Sequence, residues 1–264
     1  MFEGVLVKMI TEIGSPVQYY LNFKSDVIHM NQLIGKNLFL EKIGSQCLNC
    51  GSDLPIFRQG FCKKCFFDIP SAGDWIMKPE LSKAHLDIED RDLDYEKKIQ
   101  LQPHIVYLAV SSGLKVGVTR ASQVPTRWID QGAHSAIPIV ETPNRYLAGI
   151  TEVALKNHYS DKTNWRLMLQ NSGLEIDLKA EKNRCLEWIP TEVKPYILHH
   201  ETAPTVIDFP VLNYPDKVSS LNLEKTLSYT GILTGIKGQY LIFEDQTVFN
   251  VRSNEGQVIR LEVK

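Results

Sequence analysis

Cys47, Cys50, Cys62 and Cys65 fall as C-x2-C, eleven intervening residues and a second C-x2-C. Two residues between thiols let a tight turn present both sulfurs to one ion, and Gly51 frees the backbone to curl behind it. Four thiolates fill a tetrahedral zinc site and leave no position for an activated water, so the expected zinc is structural. A thioredoxin-like pair wants one C-x-x-C in a βαβ setting, and a disulfide pair wants an oxidising compartment. Five cysteines, with Cys185 alone, suit neither well. Lys42, Arg58, Lys63 and Lys64 are interleaved with Phe57, Phe61, Phe66 and Phe67 around the cysteines. That mixture suits either nucleic-acid contact or the small apolar core such a module needs.

A second group of residues suits phosphodiester chemistry. Hydrolysis of a phosphodiester needs a deprotonated water, charge stabilisation on the phosphate and help for the leaving oxygen, and one carboxylate holding Mg²⁺ or Mn²⁺ can supply two of these. Residues 101–170 carry seven Lys and Arg against four acids, with three histidines, and form the most basic stretch of the chain. Within it Glu152 is the candidate metal ligand. Arg127 is the candidate for the phosphate oxygens, with Arg120 as its rival, and Tyr107, with His134 or His158, would move protons. Taken singly these residues have ordinary readings: a strand tyrosine is usually core, Gly117 a close-packing site, a helical glutamate solvated surface. Glu152 stands out because Leu147, Ile150, Ala154 and Leu155 place it at the edge of a buried stripe, where a carboxylate needs a partner. His158, six residues on, faces elsewhere and reads as a capping or packing residue; Trp128 and Trp165 read as core.

The elements that position these groups follow from turns and periodicity. Residues 104–110 and 114–119 read as a hairpin around Ser111-Ser112-Gly113, a helix carrying Arg127 follows Pro125, and a further helix runs from about residue 145 to 158. Toward the N-terminus, residues 4–10 and 17–23 read as a hairpin around Gly14-Ser15-Pro16. Residues 71–100 hold eight acids and five bases and read as a linker or exposed helix. Residues 171–225 carry five prolines and suggest irregular chain and edge strands; short strands at regular spacing after residue 231 suggest a small antiparallel barrel. An N-terminal hairpin is too small to stand alone, so it is expected to join the C-terminal β segment.

The order of these motifs resembles the GIY-YIG nuclease superfamily over residues 104–166: a strand with Tyr107, a strand with Lys115-Val116-Gly117-Val118-Thr119, an arginine on one helix, a glutamate on a later helix and a late asparagine. By that resemblance Tyr107, Arg127 and Glu152 are catalytic, with Glu152 holding Mg²⁺ or Mn²⁺, and Lys115, Gly117, Arg120, Lys162 and Asn164 contact nucleic acid. The first motif here is Ile105-Val106-Tyr107, and Lys115 stands where the second motif usually begins with tyrosine, as in divergent branches with a Lys-Ile-Gly version. The cysteine cluster, together with residues 127–132, 142–147 and 161–165, is similar over nearly the whole chain to a bacterial family of unknown function numbered 2797.

The expected organisation is α+β: an N-terminal β segment (1–45), a four-cysteine zinc-knuckle module (46–70), an acidic connector (71–100), a GIY-YIG-like αβ domain (101–170) and a C-terminal β-rich segment (171–264), the two end segments forming a small antiparallel β module. Net charge −2 and 43% hydrophobic residues exclude disorder and a globally basic protein, so any nucleic-acid contact must be local. No apolar run reaches membrane-spanning length, and Met1-Phe2-Glu3 does not open a leader pattern, so a cytoplasmic protein without a membrane partner is expected. Two functions follow: a metal-dependent endonuclease, a hydrolase of DNA or RNA, or a zinc-containing nucleic-acid-binding protein whose nuclease-like domain does not cleave; a protein-interaction scaffold without nucleic acid is a third. None sets an oligomeric state.

Overall fold

The computed structural model describes residues 1–23, 25–172, 175–199 and 203–264. It is a mixed α+β fold whose described residues form sheets of seven, four, three and two strands. The chain divides into two compact units, one of Met1–Phe67, Leu169–Asn171 and Ile207–Lys264, the other of Asp68–Met168 and Ser172–Val206.

In the first unit both ends of the chain enter one seven-stranded sheet. Phe2–Val5 pairs antiparallel with Gln257–Val263, Phe2 opposite Leu261, and the same C-terminal strand pairs on its other side with Asn37–Ser45. Leu38, Leu40, Ile259 and Leu261 are buried and alternate with more exposed neighbours, the period-two pattern of a sheet packed on one face. The expected N-terminal hairpin forms around Gly14-Ser15-Pro16, but its first strand splits in two. Residues 2–5 join the C-terminal strand, and Ile10–Glu12 pairs with Gln18–Asn22, which pairs in turn with Val27–His29. The break falls between them because Leu6 and Met9 are fully buried, and the Met9 backbone N–H and carbonyl are both taken by the Gln239 side-chain amide.

The expected small barrel is instead an open, mixed sheet. Its order runs from Phe2–Val5 to Ser219–Ser220, which lies parallel to Thr247–Asn250, and these two edges are not paired with each other among the described residues. Ser228–Lys237 spends its first half on Asn37–Ser45 and its second on Tyr240–Phe243, with an irregularity between Leu233 and Gly235. Such a bend lets one long strand serve two pairings.

The second unit centres on a four-stranded sheet in the order Thr205–Val206, Ser135–Thr142, His104–Val110, Leu114–Arg120. Every residue of His104–Val110 is buried, as a central strand covered on both faces requires. Helix Thr126–Asp130 follows Pro125, and helix Arg145–Leu155 starts where the Asn144 side chain accepts from the Leu147 N–H at 2.9 Å. Leu178–Cys185 is a helix within the stretch read as irregular; Asp177 caps it, but four charged residues in eight mask its apolar spacing.

Residues 71–100 are not a free linker. They fold as short 3₁₀ turns and a helix, Leu93–Gln100, with Trp75 and Ala84 buried. Glu96 is buried too, and its carboxylate accepts from the backbone N–H groups of Asp90, Arg91 and Asp92, so an acidic sequence closes on itself. Arg145 donates to the Trp75 and Ile76 carbonyls at 3.1 and 2.7 Å. A Cβ on Gly149 would lie 2.3 Å from the Glu80 nitrogen and 2.4 Å from the Pro79 carbonyl carbon, backbone atoms that cannot rotate away. In an unconstrained helix Gly→Ala gains about 1 kcal/mol. Gly149→Ala here should instead destabilise by about 1–3 kcal/mol, the ordinary cost of overpacking. Denaturant unfolding reads the sign, and a stabilised variant would contradict the tight contact.

Among the described residues no helix is long and apolar enough to cross a membrane.

Candidate functional site

The Sγ atoms of Cys47, Cys50, Cys62 and Cys65 all lie within 4.8 Å of one another. Tetrahedral zinc with bonds of about 2.3 Å places its sulfurs roughly 3.8 Å apart, so the cradle needs only a small contraction. Local structure sets it: the Cys47 carbonyl accepts from the Gly51 N–H at 2.9 Å, closing the first knuckle, and Gly51 takes φ +72°, a conformation open to glycine. The second pair spans the strand Phe61–Cys62 and the helix Lys63–Asp68. Donors stabilise the thiolates: the Cys62 N–H reaches the Cys47 Sγ, and the Asn49 amide the Cys65 Sγ, both at 3.3 Å. A closed set of four thiolates fits structural zinc.

In the second unit Tyr107 is fully buried, and its hydroxyl donates to Gln131 Oε1 at 2.8 Å. Tyr107 and Gly117 are cross-strand partners. A Cβ on Gly117 would lie 2.7 Å from the Tyr107 hydroxyl oxygen, so the glycine, itself buried, makes room for the ring. Trp128 packs edge-on against that ring, centroids 5.8 Å apart. Burial pushes the Tyr107 phenol up to about 12, with the Arg127 charge opposing and the Glu152 charge adding. One phenol thus senses both of the other residues expected to act with it.

Lys115 is 4% exposed, and its Nζ donates to Thr163 Oγ1 at 3.1 Å. Its ammonium is brought down to about 8, chiefly by burial and then by the Arg127 charge, while Glu152 and Asp161 oppose. Arg145 is held down to about 10 by burial, again with Arg127 and Arg120 adding and Glu152 opposing. Glu152, 8% exposed, is raised above the usual carboxylate range by burial, against the pull of Lys156, whose Nζ lies 3.5 Å from its Oε2. Lys156 also pairs with Asp161 at 3.3 Å. Lys115 and Arg145 thus each feel both the Arg127 cation and the Glu152 carboxylate, while Lys156 is the cation paired with it. Like charges that depress one another are relieved by an arriving anion, and a phosphate fits guanidinium geometry well.

The other expected site residues are dispersed. Asn164 is exposed and accepts through Oδ1 from the Arg166 and Leu167 N–H groups, capping helix Trp165–Leu169. Lys162 is exposed, and its backbone N–H donates to Ser160 Oγ. Arg120 ends its strand opposite His104, which is buried and lowered to about 4, mainly by burial. His158 stacks on Trp188, centroids 3.6 Å apart, a packing role; His134 is half-buried beside the sheet, its N–H on the Val110 carbonyl. Sequence reading missed Gln131, Arg145, Lys156 and Asp161 as neighbours of the site. Gln131, four residues after Arg127, and Lys156, four residues after Glu152, held local hints, since helical spacing brings each pair to one side.

Compared with known families, residues 35–259 match the model described as "Protein of unknown function (DUF2797)". No curated protein and no solved structure matches the chain.

Proposed function

We propose that this chain, which belongs to the DUF2797 family, is a metal-dependent phosphodiesterase acting on DNA or RNA through a GIY-YIG-like site, with a structural zinc held by Cys47, Cys50, Cys62 and Cys65. The observation that supports the reading is that Lys115 and Arg145 each feel both the Arg127 cation and the buried Glu152 carboxylate, as the buried Tyr107 phenol does. Arg127 offers planar charge to the non-bridging oxygens of a phosphate, and Arg145, whose Nε and Nη2 are held by the Trp75 and Ile76 carbonyls, adds positive charge beside it. Tyr107, donating to Gln131, holds the floor of the site. Lys115 is the side chain best poised to accept a proton from water near neutral pH, since burial brings it close to the working range. Glu152 would hold Mg²⁺ or Mn²⁺ with retained waters, and the ion would supply positive charge to the phosphate and acidify a bound water.

The test is cleavage of labelled single- and double-stranded DNA and RNA with Mg²⁺, Mn²⁺ or EDTA. Lys115 transfers a proton only when neutral, so kcat/KM should rise tenfold per pH unit and level off above about pH 8. Lys115→Arg should remove that limb. No cleavage in either metal, or cleavage that persists in EDTA, would defeat the reading.

One observation favours a second reading, a zinc-containing nucleic-acid-binding protein that does not cleave. Glu152 already faces the Lys156 ammonium at 3.5 Å, so a cation stands where a metal would be needed. Salt-sensitive binding without cleavage would be its signature.

A further inference from the structure

The zinc module carries a feature that metal binding does not require. Phe57, Phe66 and Phe67 form one aromatic cluster, with ring centroids 5.4, 5.8 and 5.4 Å apart. Small zinc modules fold on their metal and bury what few apolar side chains they have. Here Phe57 is 42% and Phe67 55% exposed. The inner face of the module is already occupied: Ile56 packs on Gly256, where a Cβ would meet its side chain at 2.8 Å, and Leu48 packs on Gly60. Successive strand residues point to opposite faces, so Phe57 stands away from the contact Ile56 makes.

Charge accompanies the rings. Within the module, residues 46–70, the exposed charged side chains are Arg58, Lys63 and Lys64 against Asp53 and Asp68. The Arg58 guanidinium lies over the Phe57 ring, 5.3 Å from its centroid. The net negative charge of a zinc tetrathiolate is partly met by the N–H donors of Cys62 and Asn49.

We propose that this face is a stacking platform for single-stranded nucleic acid: unpaired bases lie against Phe57 and Phe67, and the adjoining phosphates meet Arg58, Lys63 and Lys64. The assignment rests on the nucleic-acid reading above and adds a second contact, on the zinc module, with a preferred strand state. Flat rings beside cations match a chain of bases and phosphates. Only unpaired bases expose a π-face, since a duplex hides its faces in the stack.

The experiment is fluorescence anisotropy of the full zinc-loaded chain with labelled oligothymidylate, oligouridylate and a duplex DNA. Phe57→Ala with Phe67→Ala should weaken single-strand binding by about tenfold per ring, the usual effect of losing an aromatic stack, while zinc content and melting temperature stay unchanged. Duplex affinity should change by less than about threefold, as expected where no base faces are read. Phe57→Trp with Phe67→Trp should keep single-strand affinity. Phe57→Leu with Phe67→Leu keeps apolar volume without a π-face; it should lose affinity like the alanine pair, and it carries the test if that pair loses zinc. Single-strand affinity within twofold of wild type in both the Ala and Leu pairs would overturn the platform while leaving nucleic-acid binding in place. An equal loss on duplex would overturn it too. Wild type that binds no oligonucleotide at low salt removes both this inference and the reading it rests on. A dimer in sedimentation that the Ala pair breaks, with oligonucleotide affinity untouched, would assign the face to a second copy and overturn the proposal.

Discussion

Cys47→Ser will yield protein with far less than one zinc per chain and a melting transition lowered by at least about 8 °C. Cys47 is 1% exposed, and its Sγ accepts from the Cys62 N–H, so the substitution removes a ligand from the enclosed side of the cradle. Structural zinc contributes about 10–16 kcal/mol of apparent binding free energy in isolated fingers, which exceeds the 5–15 kcal/mol of a whole domain at the upper end. Only part of that reaches the global transition, because the module also leans on the sheet through the Gln46 N–H, which bonds the Gly256 carbonyl. Even about 4 kcal/mol lost corresponds to a shift of about 8–16 °C in a protein of this size. Metal analysis and calorimetry check it, with Cys185→Ser as control, since Cys185 lies fully buried in the other unit and should keep full zinc. A Cys47→Ser protein that retained zinc and wild-type melting would show that the cluster is not a metal site.

Glu152→Gln should lower metal-dependent cleavage by at least about a thousandfold while leaving oligonucleotide affinity within about threefold, since the amide keeps the shape and removes the charge that would hold the ion. Stability gives an independent sign. Burial raises the Glu152 carboxyl above its unfolded value, so its contribution is fully present below the unfolded pKa of about 4.3 and is lost as pH rises through the folded pKa. At neutral pH the ionised carboxylate is therefore a burden on the fold, and Glu152→Gln should melt at or above the wild-type temperature. Lys156 retains Asp161, 3.3 Å away, so it is not stranded by the change. At pH 4 the advantage should vanish. Cleavage unaffected by the substitution would exclude Glu152 as the metal ligand; binding lost with it would make Glu152 a structural residue.

Much of the molecule is legible in local sequence. The zinc cradle follows from spacing, because two residues between thiols let a tight turn present each pair, with Gly51 closing the first knuckle. The strands 104–110 and 114–120, the helix after Pro125 and the Asn144-capped helix follow from turn residues and apolar period, signals that act within a few residues. Tertiary structure decided what depends on partners far away in the chain. Phe2 finds Leu261 rather than its sequence neighbours. The acidic stretch after residue 70 is held from a distance by Arg145, which grips the Trp75 and Ile76 carbonyls 70 and 69 residues away. Lys115 shows the physical reason most clearly: its sequence reads as a cation that contacts nucleic acid, but at 4% exposure its charge costs solvation, and that cost does most to bring its ammonium down to about 8. Burial is a property of the assembled fold, and no window of neighbouring residues contains it.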